Sequence, residues 1–173
     1  MMARKSLSQR FPRQLLVGLL SLAAVCAAGQ KAPDPINWSL KLDGASQPIK
    51  PGSVFKVQME ASIEQGWHLY STEQPAGGPK PTRITCPPDQ IFEMGGTVEF
   101  PAPQTAHDEN FDIETEFYED AVTFILPVRV SPRATAGSHK LRVEVRFQSC
   151  TREICLPPTT VKLDLPVEVA KSS

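Results

Sequence analysis

The chain has 173 residues, a formal net charge of −1 and a hydrophobic fraction of 40%. This length and composition are sufficient for one folded domain with a core. The near-neutral charge gives no electrostatic reason to expect nucleic acid or an anionic membrane surface as a partner.

The N-terminus has the order of a secretory signal peptide. Four basic residues, the last of them Arg13, precede an apolar run over residues 15–25, and small residues follow up to Gly29. The apolar run is shorter than the about 20 residues that a membrane-spanning helix needs. We therefore expect residues 1–29 to be a signal peptide cleaved close to Gly29, and the protein to be periplasmic or otherwise exported. Cys26 lacks the preceding residues of a lipoprotein signal, so we expect it to be discarded rather than lipidated.

Cleavage would change the charge but not the domain count. It leaves 14 of the 18 basic residues against 19 acidic ones, a net charge of about −5, which again argues against nucleic acid as a partner. Residues 30–173 are expected to form a single domain with its core at about residues 36–169.

Apolar and polar residues alternate along most of this domain, as in strands with one buried and one solvent-facing side. Long alternating runs lie at residues 55–63, 122–130, 141–147 and 161–169, and shorter strands are predicted at 36–42, 68–70, 83–86 and 97–100. No window has a helical period. Seven or eight strands separated by turn residues predict an all-β fold, an immunoglobulin-like antiparallel β-sandwich.

Two features modify this pattern. Pro127 and Pro166 fall inside predicted strands, and since proline has no backbone N–H to donate, these strands are predicted to be edge strands or bulged. Residues 104–120, QTAHDENFDIETEFYED, are acidic and do not alternate, so we expect a long loop there. Its aromatic residues suggest that part of the loop packs back on the protein.

Cys150 and Cys155 flank a four-residue turn at the end of a predicted strand. In this arrangement the two can face each other within the range that a disulfide tolerates. Disulfides persist in exported proteins, but one that closes so short a loop stabilises a fold by only about 2 kcal/mol. The spacing alone leaves a structural disulfide and a redox-active pair equally open. The third cysteine of the mature chain, Cys86, is expected to be a buried, inert residue.

A metal site has weaker support. The C-x4-C spacing differs from the usual C-x2-C zinc pair, and no second ligand pair follows it. The three histidines, His68, His107 and His139, are scattered along the chain. The simplest interpretation of each is a solvent-exposed surface residue. If His68 lay near the cysteines, a soft copper site would remain open.

Three stretches, in order, are similar to the N-terminal periplasmic domain of the thiol:disulfide interchange protein DsbD. The segment FQSCTREICLPP (147–158) resembles that domain's C-x4-C-x-P-P segment, and GWHLYS (66–71) resembles its aromatic GYYLY stretch. The third, ETEFYEDAVTF (114–124), resembles its DEFYG cap-loop stretch and the strand that follows. The resemblance covers most of the mature chain and implies the same immunoglobulin-like sandwich.

The resemblance implies a thiol:disulfide oxidoreductase function and assigns roles to residues. Cys150 and Cys155 would be the redox pair, with Cys155 as the attacking thiol. A cap formed by Glu116, Phe117 and Tyr118 would shield the pair until a partner displaces it. Trp67, His68 and Tyr70 would be neighbours of the pair. Trp67 and His68 stand where the family stretch has tyrosines, so the resemblance does not carry over any hydroxyl hydrogen bonds at these positions.

The resemblance also implies partners. In the family, this domain receives electrons from a thioredoxin-like domain that a membrane-embedded domain supplies. It passes them to periplasmic thioredoxin-fold proteins, such as disulfide isomerases and the reductants of cytochrome c maturation. We expect thioredoxin-fold partners here, a separate membrane-embedded electron donor, and no metal or small-molecule cofactor. The alternatives are a non-catalytic immunoglobulin-like binding or assembly module with a structural disulfide, and a periplasmic copper-binding protein.

Overall fold

The computed structural model describes residues 34–172, so the predicted signal peptide and Cys26 lie outside it. The described residues form eleven β-strands and no α-helix. The strands are Ile36–Leu42 (β1), Val54–Ile63 (β2), His68–Tyr70 (β3), Arg83–Thr85 (β4), Phe92–Met94 (β5), Gln104–Asp108 (β6), Ile113–Tyr118 (β7), Ala121–Val130 (β8), Gly137–Phe147 (β9), Ser149–Cys150 (β10) and Thr159–Val169 (β11). In this part of the chain there is no helix long and apolar enough to cross a membrane.

Two antiparallel sheets form the body of the protein. One has the strand order β1-β2-β8-β5 and the other β11-β9-β4. Alternate residues of β2, β8 and β9 are buried, as the sequence pattern predicts. Trp38 joins the sheets, since its ring lies 5.2 Å from Phe147 in the second sheet and 6.2 Å from Phe124 in the first. The predicted antiparallel, immunoglobulin-like sandwich is confirmed.

A third sheet lies where strands of the two main sheets continue beyond their ends. Its order is β10-β3-β7-β6. Strand β3 follows β2 through a turn in which Gly66 adopts a φ of 85°, a conformation that glycine adopts without steric cost. Strand β7 leads into β8, and β10 follows β9 after one residue. Both main sheets therefore determine the position of the third sheet.

The third sheet contains the main difference from the prediction. Residues 104–120 do not form a long loop, because β6 and β7 pair as a hairpin from Gln104 opposite Phe117 to Asp108 opposite Ile113. Two of its buried residues are polar, Asp108 and Thr115, so the segment lacks the apolar alternation that identifies a strand. The strand predicted at residues 97–100 is also wrong, since only Glu99 forms a bridge there, to Ile125.

The two prolines differ in their surroundings. Pro166 lies in β11, which is an edge strand as predicted. Pro127 lies in β8, which is central between β2 and β5 and keeps an unbroken register with β2 through Lys56 opposite Pro127. There β8 is therefore neither an edge strand nor bulged against β2. The carbonyl of Pro127 accepts from the Gly95 N–H at 2.8 Å, beyond the end of β5. Proline has no backbone N–H, and at Pro127 this group would point to a part of the chain beyond the end of β5, where the regular hydrogen bonds between β5 and β8 have stopped.

The packing of the two sheets predicts the cost of removing a central ring. Phe124 is fully buried between Trp38 and Tyr118, so Phe124→Ala is expected to lower the free energy of unfolding by about 3–5 kcal/mol. Val54→Ala is the control, because Val54 is 45% exposed and its loss is expected to change stability by about 0.5 kcal/mol or less. Urea unfolding measures both, and equal effects of the two substitutions would contradict this description of the core.

Candidate functional site

A short hairpin after β9 joins Cys150 and Cys155 in a disulfide. The two residues form an isolated antiparallel bridge with their Cα atoms 4.1 Å apart, so the facing arrangement predicted from the spacing is confirmed. The Thr151 N–H donates to the carbonyl of Ile154 at 2.8 Å. The Thr151 hydroxyl accepts from the N–H groups of Glu153 and Ile154, both at 3.1 Å. The turn therefore has hydrogen bonds of its own, independent of the sulfur–sulfur bond.

The two cysteines of the disulfide differ in burial. Cys150 is fully buried, whereas Cys155 is half-buried. Arg152 and Ile154, in the turn between them, are exposed, Ile154 by 54%. Thiol–disulfide exchange begins with a thiolate that reaches one sulfur of the disulfide, so the rate depends on access. Of the two cysteines, Cys155 is therefore the less buried.

The register of the third sheet determines which side chains surround the disulfide. Strand β3 pairs with β10 on one side and with β7 on the other. On the β10 side, Cys150 lies opposite His68 and Ser149 opposite Leu69. On the β7 side, Tyr118 lies opposite Leu69 and Phe117 opposite Tyr70. Side chains alternate between the two faces of a sheet. His68, Tyr70 and Phe117 therefore share a face with Cys150, while Leu69 and Tyr118 point to the other face, into the sandwich core.

A buried polar cluster lies on the same face as Cys150. The carboxylate of Asp108, a residue only 7% exposed, accepts the Tyr70 hydroxyl at 2.5 Å and the Asn110 N–H at 2.8 Å. The Thr115 hydroxyl lies 3.4 Å from the same carboxylate, and the His68 Nε2 lies 4.0 Å from it. These contacts link the β6–β7 hairpin to β3, and so to the disulfide.

The cluster has a defined protonation state. Burial lowers the pKa of His68 despite the opposing charges of Asp108 and Glu119. For Asp108, burial raises the pKa, but the hydrogen bonds from Tyr70 and Asn110 and the nearby His68 outweigh it, so the net shift is downward. Burial and the hydrogen bond to Asp108 raise the pKa of Tyr70. At neutral pH the cluster therefore contains a neutral imidazole, an ionised carboxylate and a protonated phenol.

The residues predicted as a cap are divided between the two faces. Phe117 lies on the face of the disulfide, with its ring centroid 5.1 Å from that of His68. Tyr118 belongs to the core, because its ring packs on Phe124 and its hydroxyl donates to the carbonyl of Pro101 at 2.9 Å. This placement corrects the expectation that Tyr118 covers the pair.

Glu116 and Trp67 also lie away from the disulfide. The carboxylate of Glu116 accepts the Ser71 hydroxyl at 2.9 Å, and its carbonyl accepts the side-chain amide of Gln74 at 2.5 Å. Trp67 packs against the hydrophobic core. Of the three predicted neighbours of the cysteines, His68 and Tyr70 therefore share their face, and Trp67 does not.

The turn of the β6–β7 hairpin reaches the cysteine turn, a contact that the sequence did not predict. The side-chain amide of Asn110 donates to the carbonyl of Thr151 at 3.0 Å, and the ring of Phe111 lies edge-on to Tyr70 at 6.1 Å. Asp108 and Asn110 had no recognisable signal in the sequence, because their partners are distant in the chain.

The remaining thiol and imidazoles lie elsewhere. Cys86 follows β4, in a different sheet from Cys150, with its sulfur 3.6 Å from that of Met94, and burial raises its pKa to about 11. His107 pairs with Asp112 at 3.2 Å, and His139 contacts the carbonyl of Thr135 at 2.8 Å. Within residues 34–172, no three or more His, Cys, Asp or Glu side chains are grouped so as to hold a metal ion.

Comparison with known sequences identifies related proteins. Residues 40–166 match the profile of the family described as "Thiol:disulfide interchange protein DsbD, N-terminal". The thiol:disulfide interchange protein DsbD of Actinobacillus pleuropneumoniae serotype 5b (strain L20) is 27% identical over 159 residues, which are 92% of this chain and 24% of that protein. The present chain therefore spans about a quarter of the length of that relative.

Solved structures provide a comparison of the fold. The N-terminal periplasmic domain of ScsB from Proteus mirabilis is similar with a TM-score of 0.52 and 18% identity, over 77% of this chain and 47% of that one. The reduced DsbD N-terminal domain from Neisseria meningitidis aligns with a TM-score of 0.46 and 17% identity, over 65% of this chain and 77% of that one. The similarity to the Proteus domain indicates a shared fold.

The low pKa of Asp108 predicts a pH-dependent effect of removing the Tyr70 hydroxyl. An ionised carboxylate with a lowered pKa in the folded state stabilises the protein above the pKa of the unfolded carboxyl, near 4, and this contribution is lost as the pH falls through the folded value. Tyr70→Phe is therefore expected to cost about 1.5–3 kcal/mol at pH 7. The penalty should shrink below about pH 4. Urea unfolding at a series of pH values measures it.

Tyr118→Phe is the matched control. It removes a hydroxyl that donates to a neutral carbonyl, that of Pro101, so its cost should not change over the same pH range. If the two Tyr→Phe penalties have the same pH dependence, the Tyr70 hydroxyl does not stabilise an ionised Asp108.

Proposed function

Because the chain belongs to the family of DsbD N-terminal domains, we propose that it is a thiol:disulfide exchange module that acts outside the cytoplasm. Its Cys150–Cys155 pair carries reducing equivalents to thioredoxin-fold partners. The observation that carries this proposal is the disulfide itself, formed within one short hairpin in which Cys150 is fully buried and Cys155 is only half-buried.

The difference in access determines the order of the steps. When the protein is loaded with electrons, a donor thiolate attacks the Cys155 sulfur, the Cys150–Cys155 bond breaks, and Cys150 leaves as a thiolate. A second donor thiolate then resolves the mixed disulfide and leaves both cysteines reduced. When the protein delivers electrons, the Cys155 thiolate attacks the partner's disulfide, and Cys150 resolves the mixed disulfide that results.

A structural role would require the disulfide to stabilise the fold. A disulfide that closes so short a loop contributes only about 2 kcal/mol through chain entropy, and this one joins two residues of the same hairpin. The two main sheets are held together by their own buried core. The sandwich is therefore expected to stay folded when the disulfide is reduced, as a redox-active pair requires.

The proposal includes a cap, which consists of Phe117 alone because Tyr118 lies in the core. Phe117 is half-buried on the face of Cys150, against His68, where its ring limits the approach of other thiols. Full burial of such a side chain contributes roughly 1.5–3 kcal/mol, so the half-buried ring contributes less, an amount that a docking partner can offset.

Phe117→Ala tests the cap. In the reduced protein, alkylation of the pair by iodoacetamide is expected to become several-fold faster, because the substitution opens access without changing the sulfurs. Phe100→Ala is the matched control, since Phe100 is 40% exposed and lies in another part of the chain. An unchanged alkylation rate in a stably folded Phe117→Ala protein would remove the cap from the proposal.

The attacking cysteine can be identified by trapping. The partner is a thioredoxin-fold protein that retains one active-site cysteine, activated as a mixed disulfide with thionitrobenzoate. The Cys150→Ala protein is expected to displace thionitrobenzoate and form a covalent complex through Cys155, visible on a non-reducing gel. The Cys155→Ala protein, in which Cys150 is fully buried and burial raises the pKa of Cys86, is expected to react far more slowly. Equal trapping of both variants, or trapping through Cys86, would contradict the proposed order of steps.

A further inference from the structure

The imidazole of His68 lies directly opposite Cys150 in the third sheet. Opposed residues of an antiparallel pair have Cβ atoms about 4.5–5.5 Å apart on the same face, so the ring is a neighbour of the Cys150 side chain. Cys150 is fully buried. A proton that leaves its thiol during exchange therefore needs an acceptor within the protein.

The ring is suited to accept that proton. Its Nε2 is buried and has no hydrogen-bond partner within residues 34–172, which is unusual for a buried polar atom and requires an explanation. The same nitrogen lies 4.0 Å from the Asp108 carboxylate. The Tyr70 hydroxyl and the Asn110 N–H hold that carboxylate in place. A fixed anion at this distance favours the imidazolium once the ring gains a proton.

Other titratable or charged side chains line, together with His68, a cavity of about 300 Å³. They are His107 and Glu109 of β6 and its turn, Glu119 after β7, and Arg152 of the cysteine turn. Burial lowers the pKa of His68 while Asp108 and Glu119 raise it, so the ring is neutral and able to accept a proton at pH 7. These four residues are exposed, so the cavity also gives the proton a route to solvent.

We infer that His68 is the proton acceptor for Cys150 when electrons are delivered, an inference that rests on the proposed exchange function. Asp108 is a positioning residue for the imidazole. In the first step, the Cys155 thiolate attacks a partner disulfide, forms a mixed disulfide, and releases the partner's other sulfur as a thiolate. In the second step, His68 takes the proton from the Cys150 thiol, and the new thiolate attacks the Cys155 sulfur. The Cys150–Cys155 bond forms, the mixed disulfide breaks, and the partner leaves reduced by two electrons. The proton on His68 passes to solvent or to a partner thiolate.

A packing role is the alternative for the same ring. The imidazole lies edge-on to Tyr70 at 4.9 Å and tilted against Phe117 at 5.1 Å, as any planar ring could. The two roles differ in their pH dependence. A proton acceptor determines the rate at which Cys150 attacks, whereas a packing ring can be replaced by another ring that does not titrate near neutral pH.

Stopped-flow reaction of the reduced protein with dithiobis-nitrobenzoate separates the two steps. Cys26→Ala and Cys86→Ala substitutions leave the pair as the reacting thiols. Attack by Cys155 releases the first thionitrobenzoate, and attack by Cys150 on the mixed disulfide releases the second. In His68→Gln and His68→Tyr, the second phase is expected to slow at least about tenfold at pH 7, because an unassisted thiol with a pKa near 8.5 is only about 3% ionised there. In these variants the rate of the second phase should rise as the pH increases toward about 8.5, where a Cys150 thiol without a proton acceptor ionises. The first phase should change little.

Two further variants complete the test. His139→Gln, at a half-buried histidine of β9 whose ring nitrogen contacts the Thr135 carbonyl, is expected to leave both phases unchanged. Asp108→Asn is expected to slow the second phase less than His68→Gln and to move its pH midpoint downward, because the anion that favours the imidazolium is lost. A second phase in His68→Tyr with the wild-type rate and pH profile would overturn the inference and leave His68 a packing residue. Absence of the first phase in the parent protein would instead contradict the exchange function itself.

Discussion

The site depends on the pairing of β3, a strand of only three residues, with β10 on one side and β7 on the other. This register places His68 opposite Cys150 and directs Leu69 and Tyr118 into the core. Because side chains alternate, a slip of one residue would exchange the two sets and bury His68 in the sandwich. The register is held at Tyr70, whose hydroxyl binds Asp108 and whose carbonyl accepts the Thr82 hydroxyl at 2.6 Å.

Stability and reactivity are located in different parts of the protein. The core between the two main sheets includes the contacts of Trp38 with Phe124 and Phe147, and neither cysteine of the disulfide belongs to it. Around the disulfide, the turn from Thr151 to Ile154 has its own hydrogen bonds. Under the proposed function, reduction of the pair would therefore cost about 2 kcal/mol, a fraction of the 5–15 kcal/mol typical of a whole domain.

The sequence predicted the parts of the structure that follow from local patterns. Strands with one apolar face, such as β2, β8 and β9, were recognised from their alternation, and the cysteine hairpin from its spacing. The β6–β7 hairpin was mistaken for a loop, because its buried side chains include Asp108 and Thr115, which are polar and satisfied by each other and by distant Tyr70. The resemblance indicated Phe117 and Tyr118 together, but adjacent residues of a strand point to opposite faces, so at most one of them could cover the disulfide. For His68, the residues alone indicated a surface role and the resemblance indicated a neighbour of the cysteines. Its burial beside Asp108 depends on pairing between strands far apart in the sequence.

The central claim is that Cys150 and Cys155 cycle between disulfide and dithiol in the folded protein. The reduction potential of the pair tests this most directly, measured by equilibration with glutathione buffers and quantified by alkylation and mass spectrometry. We expect a value between about −120 and −270 mV, the range of thioredoxin-fold exchange proteins, with the fold retained in both states. A potential below about −300 mV, typical of structural disulfides, or unfolding of the sandwich on reduction, would contradict the claim.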